Sequence, residues 1–321
     1  MSTYGTLTNY AAGDIIPESW TDQVAANFAA SPISQVSAEE QIGYSTGVNA
    51  MTVGAMPMGF GGRLTMAAGS AVVPTDGTAG TALYLTPYGQ FGGFCTLYNG
   101  SQYVPYKFTE LTLGTAGMTA SKPHDIFLDY NGGSPVLSQL VWTDTTTRAT
   151  ALAIQDGREV LTGALDWNYI GTVHLDAAGT FNDSELLRFI WNRYNQVPKI
   201  CRVYDATEHA WETGTWRYYN NDSANKIQFV LGLVEQGLQT WMMVDDTRNG
   251  LKLGIDLDAA TAGDAAYGLF RNDDTPVASG GSNGRVAASE LVPGYHYLSM
   301  IEIGDTSADI DIGSIGCEIM M

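Results

Sequence analysis

Residues 183–199 read DSELLRFIWNRYNQVPK, and they contain the one segment for which the sequence predicts a long α-helix. Asp183 or Ser184 can cap the N-terminus, and Glu185 lies in the first turn, where the helix dipole favours an anion. Pro198 would end the helix, because proline disfavours helical geometry at the residue before it. An apolar stripe at three- and four-residue spacing is formed by Leu186, Phe189, Ile190 and Tyr194. The pattern predicts a scaffold helix over residues 183–195 that packs against a β-sheet.

Short runs with β-strand patterning lie on both sides of this segment. The strongest hairpin signal is residues 94–104, FCTLYNGSQYV, in which Asn99-Gly100 can supply the positive φ angles of a type I′ turn. Asp156-Gly157 marks a second hairpin. Strands recur without alternating helices, so the sequence predicts an all-β, mainly antiparallel fold. We expect sandwich or jelly-roll-like domains, with one central α-helix and a short N-terminal helix.

The pattern divides the chain into three parts. Residues 1–62 are predicted to be an N-terminal attachment segment and arm, residues 63–200 a β domain that ends in the 183–195 helix, and residues 201–321 a C-terminal β-sandwich or jelly-roll-like domain. Within the first part, a capping-box pattern precedes a narrow apolar seam of Trp20, Val24 and Phe28. This seam can bury itself against a neighbouring subunit or against its own domain, and the sequence leaves both open.

Charge and composition exclude several classes of protein. The 321 residues carry a net charge of −19, which opposes binding to a nucleic-acid backbone. No signal peptide is visible at the N-terminus, and no apolar run approaches the ~20 residues of a membrane-spanning helix. We therefore expect synthesis in the cytoplasm, with neither nucleic acid nor membrane insertion among the interactions.

Motifs for catalysis and metal binding are weak in this sequence. G-x-S-x-G occurs around Ser45 and Ser282, but neither has the strand before it and the helix after it that a nucleophile elbow needs. The four histidines are isolated, and the three cysteines, Cys95, Cys201 and Cys317, are far apart and are expected to be buried thiols. Acids at 272–274 and 305–311 do not follow a calcium loop. The sequence predicts no catalytic residue, cofactor or metal.

One cluster of aromatic residues has the composition of a sugar-binding surface. Glu208 and Glu212 flank Trp211, and Trp216 and Tyr218 follow closely. Two carboxylates beside aromatic rings would also suit glycoside cleavage. The alternative is that these rings belong to the core or to a subunit interface, as is usual in a β protein. Trp211, Trp216 and Tyr218 are thus candidate glycan contacts.

Three stretches resemble a family of tailed-bacteriophage virion structural proteins of the tail-fibre, spike or head-decoration type. They are TTRATALAIQDGREVLTGALDWNYIGTVH from Thr146, the segment at 183–199, and PGYHYLSMIEIG from Pro293. IPESWTDQVAANF near the N-terminus is similar to the attachment segment of such proteins. The resemblance runs from about residue 63 to near the C-terminal end of the sequence, whereas residues 31–62 depart from it.

The resemblance implies a β-rich, homotrimeric component of a virus particle without catalytic activity, assembled in the host cytoplasm. Its partners would be two further copies of itself and other capsid or tail proteins. On this hypothesis, Trp20, Val24 and Phe28 contribute to virion attachment or to the trimer interface. A receptor-binding module for host glycan or a surface protein is the alternative, and a glycan depolymerase is the third hypothesis.

Overall fold

Alternating polar and apolar residues form β-strands through most of the chain that the structure describes. The computed structural model describes residues 59–247, 252–262, 266–271, 277–304 and 309–321. Within it, Phe60–Met321 form one unit by their contacts. The predicted N-terminal helix with Trp20, Val24 and Phe28 lies outside the described residues. The predicted division at residue 200 stays a prediction.

The described residues contain twenty-four strands and three short 3-10 helices. The strands in the first half are β1 Gly62–Thr65, β2 Gly77–Gly80, β3 Ala82–Pro87, β4 Phe94–Tyr98, β5 Tyr103–Lys107, β6 Leu111–Gly114, β7 Pro123–Asp129, β8 Val136–Val141, β9 Leu152–Gln155, β10 Arg158–Leu161, β11 Ala164–His174, β12 Phe181–Asp183, β13 Leu187–Arg188 and β14 Ile190–Asn192. The remaining strands are β15 Pro198–Asp205, β16 His209–Ala210, β17 Arg217–Tyr218, β18 Lys226–Leu231, β19 Leu238–Thr247, β20 Lys252–Leu257, β21 Leu269–Arg271, β22 Val277–Val286, β23 Gly294–Ile303 and β24 Asp309–Met320. The 3-10 helices are Asn131–Gly133, Tyr219–Asn221 and Ala288–Glu290.

These strands form antiparallel sheets, which confirms the predicted β class. One sheet has the order β8-β7-β11-β10-β9, and β14 also pairs with β11. A larger sheet has the order β2-β12-β13-β18-β23-β20-β21, with β17 on β23. A third has the order β15-β24-β19-β22, with β16 on β24. The parallel pair among the described strands is β13 with β18.

The predicted helix over residues 183–195 is wrong. This segment forms β12, β13 and β14, and no α-helix occurs in the described part of the chain. Residues 188–192 are all buried, whereas one face of a helix would bury only every third or fourth of them. Of the proposed stripe, Phe189 and Ile190 are buried and Tyr194 is partly buried, but Leu186 is 42% exposed.

Backbone pairing at both sides explains this change from helix to strand. β13 pairs with β12 and β18, and β14 pairs with β11. The Asn192 side chain accepts a hydrogen bond from Leu64 N at 2.6 Å and donates one to Leu64 O at 3.2 Å. It thus satisfies both backbone groups of Leu64 in β1, as a paired strand would. β18 and Leu64 are far away in sequence, and tertiary pairing of this kind overrides local helical spacing.

Two hydrophobic cores fill the space between the sheets. The smaller core contains Leu64, Leu85, Cys95 and Ile126 among its members. The larger core contains Tyr169, Trp191, Phe229, Cys201 and Cys317, together with residues of β19 and β23. All three cysteines are buried, and none of them forms a disulfide. None of the described helices has the length and apolar composition that crossing a bilayer would require.

Candidate functional site

An apolar surface lies on the outer side of β15, β24 and β19. Burial in β15 alternates, so Lys199, Cys201 and Val203 face the core while Ile200 and Tyr204 face outward. We call this outer surface the apolar face, and it consists of Ile200, Arg202, Tyr204, Trp241, Met243, Val244, Ile312 and Ser314 with Glu185 at its edge.

Three large apolar side chains on this face remain in solvent. Ile200 is 49% exposed, Tyr204 is 58% exposed and Met243 is 64% exposed. Together with the neighbouring side chains they line an open groove of about 530 Å³. Large apolar groups that share a groove rather than standing singly on a surface are typical of an interaction site.

The charges on the apolar face are balanced. Arg202 Nη2 lies 3.3 Å from Glu185 Oε2, and both side chains are largely exposed. These are the charged side chains that line the groove. Because the whole chain carries a net charge of −19, two copies repel each other over most of their surfaces. The groove lining itself adds no net charge to that repulsion.

A second surface cluster surrounds Trp211, and we call it the Trp211 cluster. The guanidinium of Arg217 lies over the Trp211 ring, with Cζ 3.7 Å from the ring centroid. Arg217 Nε also donates to Glu302 Oε1 at 2.7 Å. His209 Nε2 lies 2.7 Å from Glu302 Oε2, so the buried Glu302 carboxylate joins His209 and Arg217. Trp211 Nε1 donates to Thr215 O at 3.0 Å and fixes the ring.

The charge state of His209 depends on this arrangement. Burial alone would lower its pKa, but the hydrogen bond to Glu302, with further help from the Thr207 carbonyl, raises the pKa above its usual value. A raised folded-state pKa means that the ion pair contributes stability below the unfolded value of about 6.5. That contribution is lost as the pH rises through the folded-state pKa. The cluster is therefore a pH-dependent structural contact as well as a candidate binding surface.

The structure brings together only part of the predicted glycan site. Trp211, Trp216 and Tyr218 are each partly buried. Tyr218 is in β17 and pairs with Ile301. Glu208 and Glu212 are exposed. The sequence patterns did not predict Arg217, His209 and Glu302 as a cluster, because Glu302, which joins the other two, is distant from them in sequence. They also missed the apolar face, although the alternation KICRVYD in β15 placed Ile200 and Tyr204 on one side.

The other predicted motifs do not form sites in the described residues. Ser282 is inside β22, where it pairs with Met242, so the strand–turn–helix context of a nucleophile elbow is missing. Ser45 lies outside the described residues. In the part of the chain described here, no three His, Cys, Asp or Glu side chains converge in a way that could hold a metal ion.

Comparisons with known proteins give no family. No family model matches the sequence, and no curated protein matches it either. Among solved structures, the chain is similar to BuGH86 E322Q in complex with neoagarooctaose, with 11% identity, a TM-score of 0.22, and 74% of this chain and 32% of that chain covered. It is also similar to infectious bursal disease virus, Gx strain, with 13% identity, a TM-score of 0.22, and coverage of 77% and 68%.

A third similar structure is the insecticidal delta-endotoxin Cry8Ea1 from Bacillus thuringiensis. The identity is 7%, the TM-score is 0.25, and the match covers 81% of this chain and 52% of the toxin. The chain spans about a third of the length of the first of these structures and about half of the toxin. With TM-scores this low, none of the three likenesses carries an argument about function.

Proposed function

We propose that this chain is a structural component of a virus particle, a homotrimeric surface protein of the tail-fibre, spike or head-decoration type, built from sandwich or jelly-roll-like β layers and without catalytic activity. The observation that carries the proposal is the apolar face. Ile200, Tyr204 and Met243 expose a connected apolar surface on an otherwise acidic chain. The resemblance of three sequence stretches to tailed-bacteriophage virion proteins supports the particle assignment.

The proposed occupant of the apolar face is a second copy of this chain. Around a threefold axis, each copy would bury its face against the next, and the Arg202–Glu185 pair would lie at the rim. A positively charged partner would be expected to bind an acidic surface of this chain. The groove is neutral, which favours an apolar partner surface instead. The burial of exposed Tyr and Met side chains is the usual source of affinity at such contacts.

Introducing charge on the apolar face should dissociate the trimer. We expect Tyr204→Glu combined with Met243→Glu to change the light-scattering mass at micromolar concentration from three chains to one. The added carboxylates repel one another and cannot be buried without a partner. The matched control is Ile154→Glu, because Ile154 in β9 is 66% exposed but lies outside the groove. A wild-type monomer at this concentration, or equal dissociation by both changes, would contradict the proposed interface.

The copy number in purified particles tests the virion assignment separately from the interface. Mass spectrometry of particles purified from infected host cells should find the chain in multiples of three relative to a capsid protein of known copy number. Hundreds of copies would place it on the capsid, and a handful to a few dozen would place it on a spike or tail fibre. Its absence from the particles would refute the assignment.

A second candidate function is recognition of a host glycan by the Trp211 cluster. It is favoured by the stacked Trp211 and Arg217 beside His209, since aromatic rings and guanidinium groups are common contacts for sugars. We expect Trp211→Ala to reduce binding on a glycan array at least about tenfold, the equivalent of about 1.4 kcal/mol. The control Tyr204→Ala removes an exposed aromatic ring elsewhere. No glycan signal from the wild type, or equal losses from both variants, would exclude this role for Trp211.

A further inference from the structure

Two of the three cysteines face each other across neighbouring strands. Cys201 in β15 is directly opposite Cys317 in β24 in an uninterrupted antiparallel register. Both side chains are 0% exposed and belong to the larger core. Both thiols are free in the structure. The third cysteine, Cys95 in β4, is buried in the other core, so it is an internal reference for any reaction of the pair.

The register places this pair within the span of a disulfide. Val197 and Met321 exchange both backbone hydrogen bonds, at 2.8 and 3.1 Å. Hydrogen-bonded pairs recur at every second residue, so Cys201 and Cys317 are also such a pair, with Cα atoms about 5.5 Å apart. Disulfides join Cα atoms that are about 4.4–6.8 Å apart. The Cys201 thiol is close enough to Cys317 to share a hydrogen bond with it.

A buried cation lies beside Cys201. The Arg188 guanidinium contacts the Cys201 thiol. Lys199 lies near Arg188 and Arg63, and both Lys199 and Arg63 are buried. Asp183 is the carboxylate that faces this set, accepting from Arg188 at 2.9 Å and lying 3.3 Å from Lys199 Nζ.

The two thiols therefore have different roles in an exchange reaction. The hydrogen bond from Cys201, followed by burial, raises the pKa of Cys317 well above its ordinary value. Cys317 consequently stays protonated, while Cys201 has the guanidinium of Arg188 beside it. Because Cys201 is in the edge strand β15 and contacts Arg188, we assign it as the attacking thiol and Cys317 as the resolving one.

We propose that Cys201 and Cys317 are a thiol pair that forms a cross-strand disulfide by exchange with a small-molecule disulfide such as oxidised glutathione. The Cys201 thiolate attacks one sulfur, forms a mixed disulfide and releases one glutathione thiolate. Cys317 then attacks the Cys201 sulfur and releases the second glutathione. The two thiol protons go to the two glutathione thiolates. The protein loses two electrons, and one oxidised glutathione is reduced to two molecules of glutathione.

Access to the buried pair comes from the position of β15 in its sheet. β15 is at the edge of the order β15-β24-β19-β22, so it can detach from β24 without opening the rest of that sheet. The Cβ atoms of a hydrogen-bonded pair are about 5.5 Å apart, whereas a disulfide brings them to about 3.8 Å. The bond therefore holds the two strands under strain, and it is reduced more readily than an unstrained one.

The test uses the full chain and oxidised glutathione, followed by alkylation and non-reducing peptide mapping. The thiol titre in denaturant should fall from three per chain to one, because two of the three are consumed. The peptides of Cys201 and Cys317 should be linked to each other, with Cys95 alkylated. Low urea should accelerate the reaction, and dithiothreitol should reverse it.

Two variants separate the proposed chemistry from nonspecific oxidation. Cys95→Ser should give the same linked peptides and a titre that falls to zero. Cys317→Ser should retain glutathione on Cys201, because the resolving thiol is gone. The proposal is overturned if the wild type keeps three thiols at every urea concentration below unfolding. It is equally overturned if Cys95 is linked as often as the other two.

Discussion

Lowering the pH from about 6.5 to about 4 is expected to remove several kcal/mol from the free energy of unfolding, because two buried histidines resist protonation. Burial lowers the pKa of His124 to about 4 and that of His174 to about 4. In the unfolded chain both would titrate near 6.5. Below that value the unfolded state binds protons that the folded state does not, so stability falls with the pH. The loss is about 3 kcal/mol for each histidine and ends near pH 4.

The contacts of each ring explain why the folded state excludes the proton. His124 Nε2 accepts a hydrogen bond from Thr119 N at 3.0 Å, while Nδ1 lies 3.1 Å from the Lys122 carbonyl. A proton on Nε2 would oppose the Thr119 N–H. His174 packs between Phe189 and Tyr295, with ring centroids 4.6 and 4.8 Å away. Its Nδ1 has no hydrogen-bond partner among the described residues, so a charge there would be unsolvated.

The measurement is the urea midpoint as a function of pH. His174→Phe keeps an aromatic ring between Phe189 and Tyr295 and should remove about half of the slope between pH 6.5 and 4. His209→Gln is the control, since the contribution of His209 is already complete below about pH 6.5 and adds no slope in this window. An unchanged slope in His174→Phe would show that other groups cause the acid sensitivity.

Removing the Arg148 side chain should cost about 3–5 kcal/mol, because it leaves the buried Asp125 carboxylate without its partner. Arg148 Nε donates to Asp125 Oδ2 at 2.7 Å, and Arg148 Nη2 donates to Gly232 O at 2.6 Å. Thr172 Oγ1 donates to the other carboxylate oxygen at 2.7 Å. Burial raises the pKa of Asp125, and Arg148 offsets part of that effect. Once Arg148 is removed, Asp125 is expected to take up a proton.

Urea unfolding of Arg148→Met at pH 7 measures this cost. The double variant Asp125→Asn/Arg148→Met should recover part of the loss, because the uncompensated charge is gone. Arg202→Met is the matched control. Its partner Glu185 is exposed, so the loss should stay below about 1 kcal/mol. Equal costs for the two arginine variants would mean that the buried pair has no special role.

The β class was predictable because its signals are local. Asp156 and Gly157 both have positive φ, at 49° and 85°, and they form the predicted two-residue turn between β9 and β10. The predicted hairpin at 94–104 is also present, but Asn99 Oδ1 accepts from Ser101 N and Gln102 N in a four-residue loop. Short-range turn chemistry therefore fixed which strands pair, although not every loop length.

The segment at 183–195 and the candidate sites depend on distant partners, and local patterns do not contain that information. The spacing of Leu186, Phe189 and Ile190 fits a helix. The pairing of β14 with β11 overrides it. Glu302 forms hydrogen bonds with His209 and Arg217, which lie more than eighty positions away in the sequence. The sequence predicted Trp211 as a site residue but could not show which cation would stack on it.

The bond from Arg63 Nη2 to Met321 O spans 258 positions and has a consequence for biosynthesis. β15 pairs with β24 along its whole length, so its main hydrogen-bonding partner is synthesised only after β16 to β23. Until then, the nascent chain carries an unpaired edge with Ile200 and Tyr204 exposed, and non-local pairing of this kind is slow and prone to aggregation. Deletion of residues 309–321 should yield chains that chaperones retain and proteases degrade.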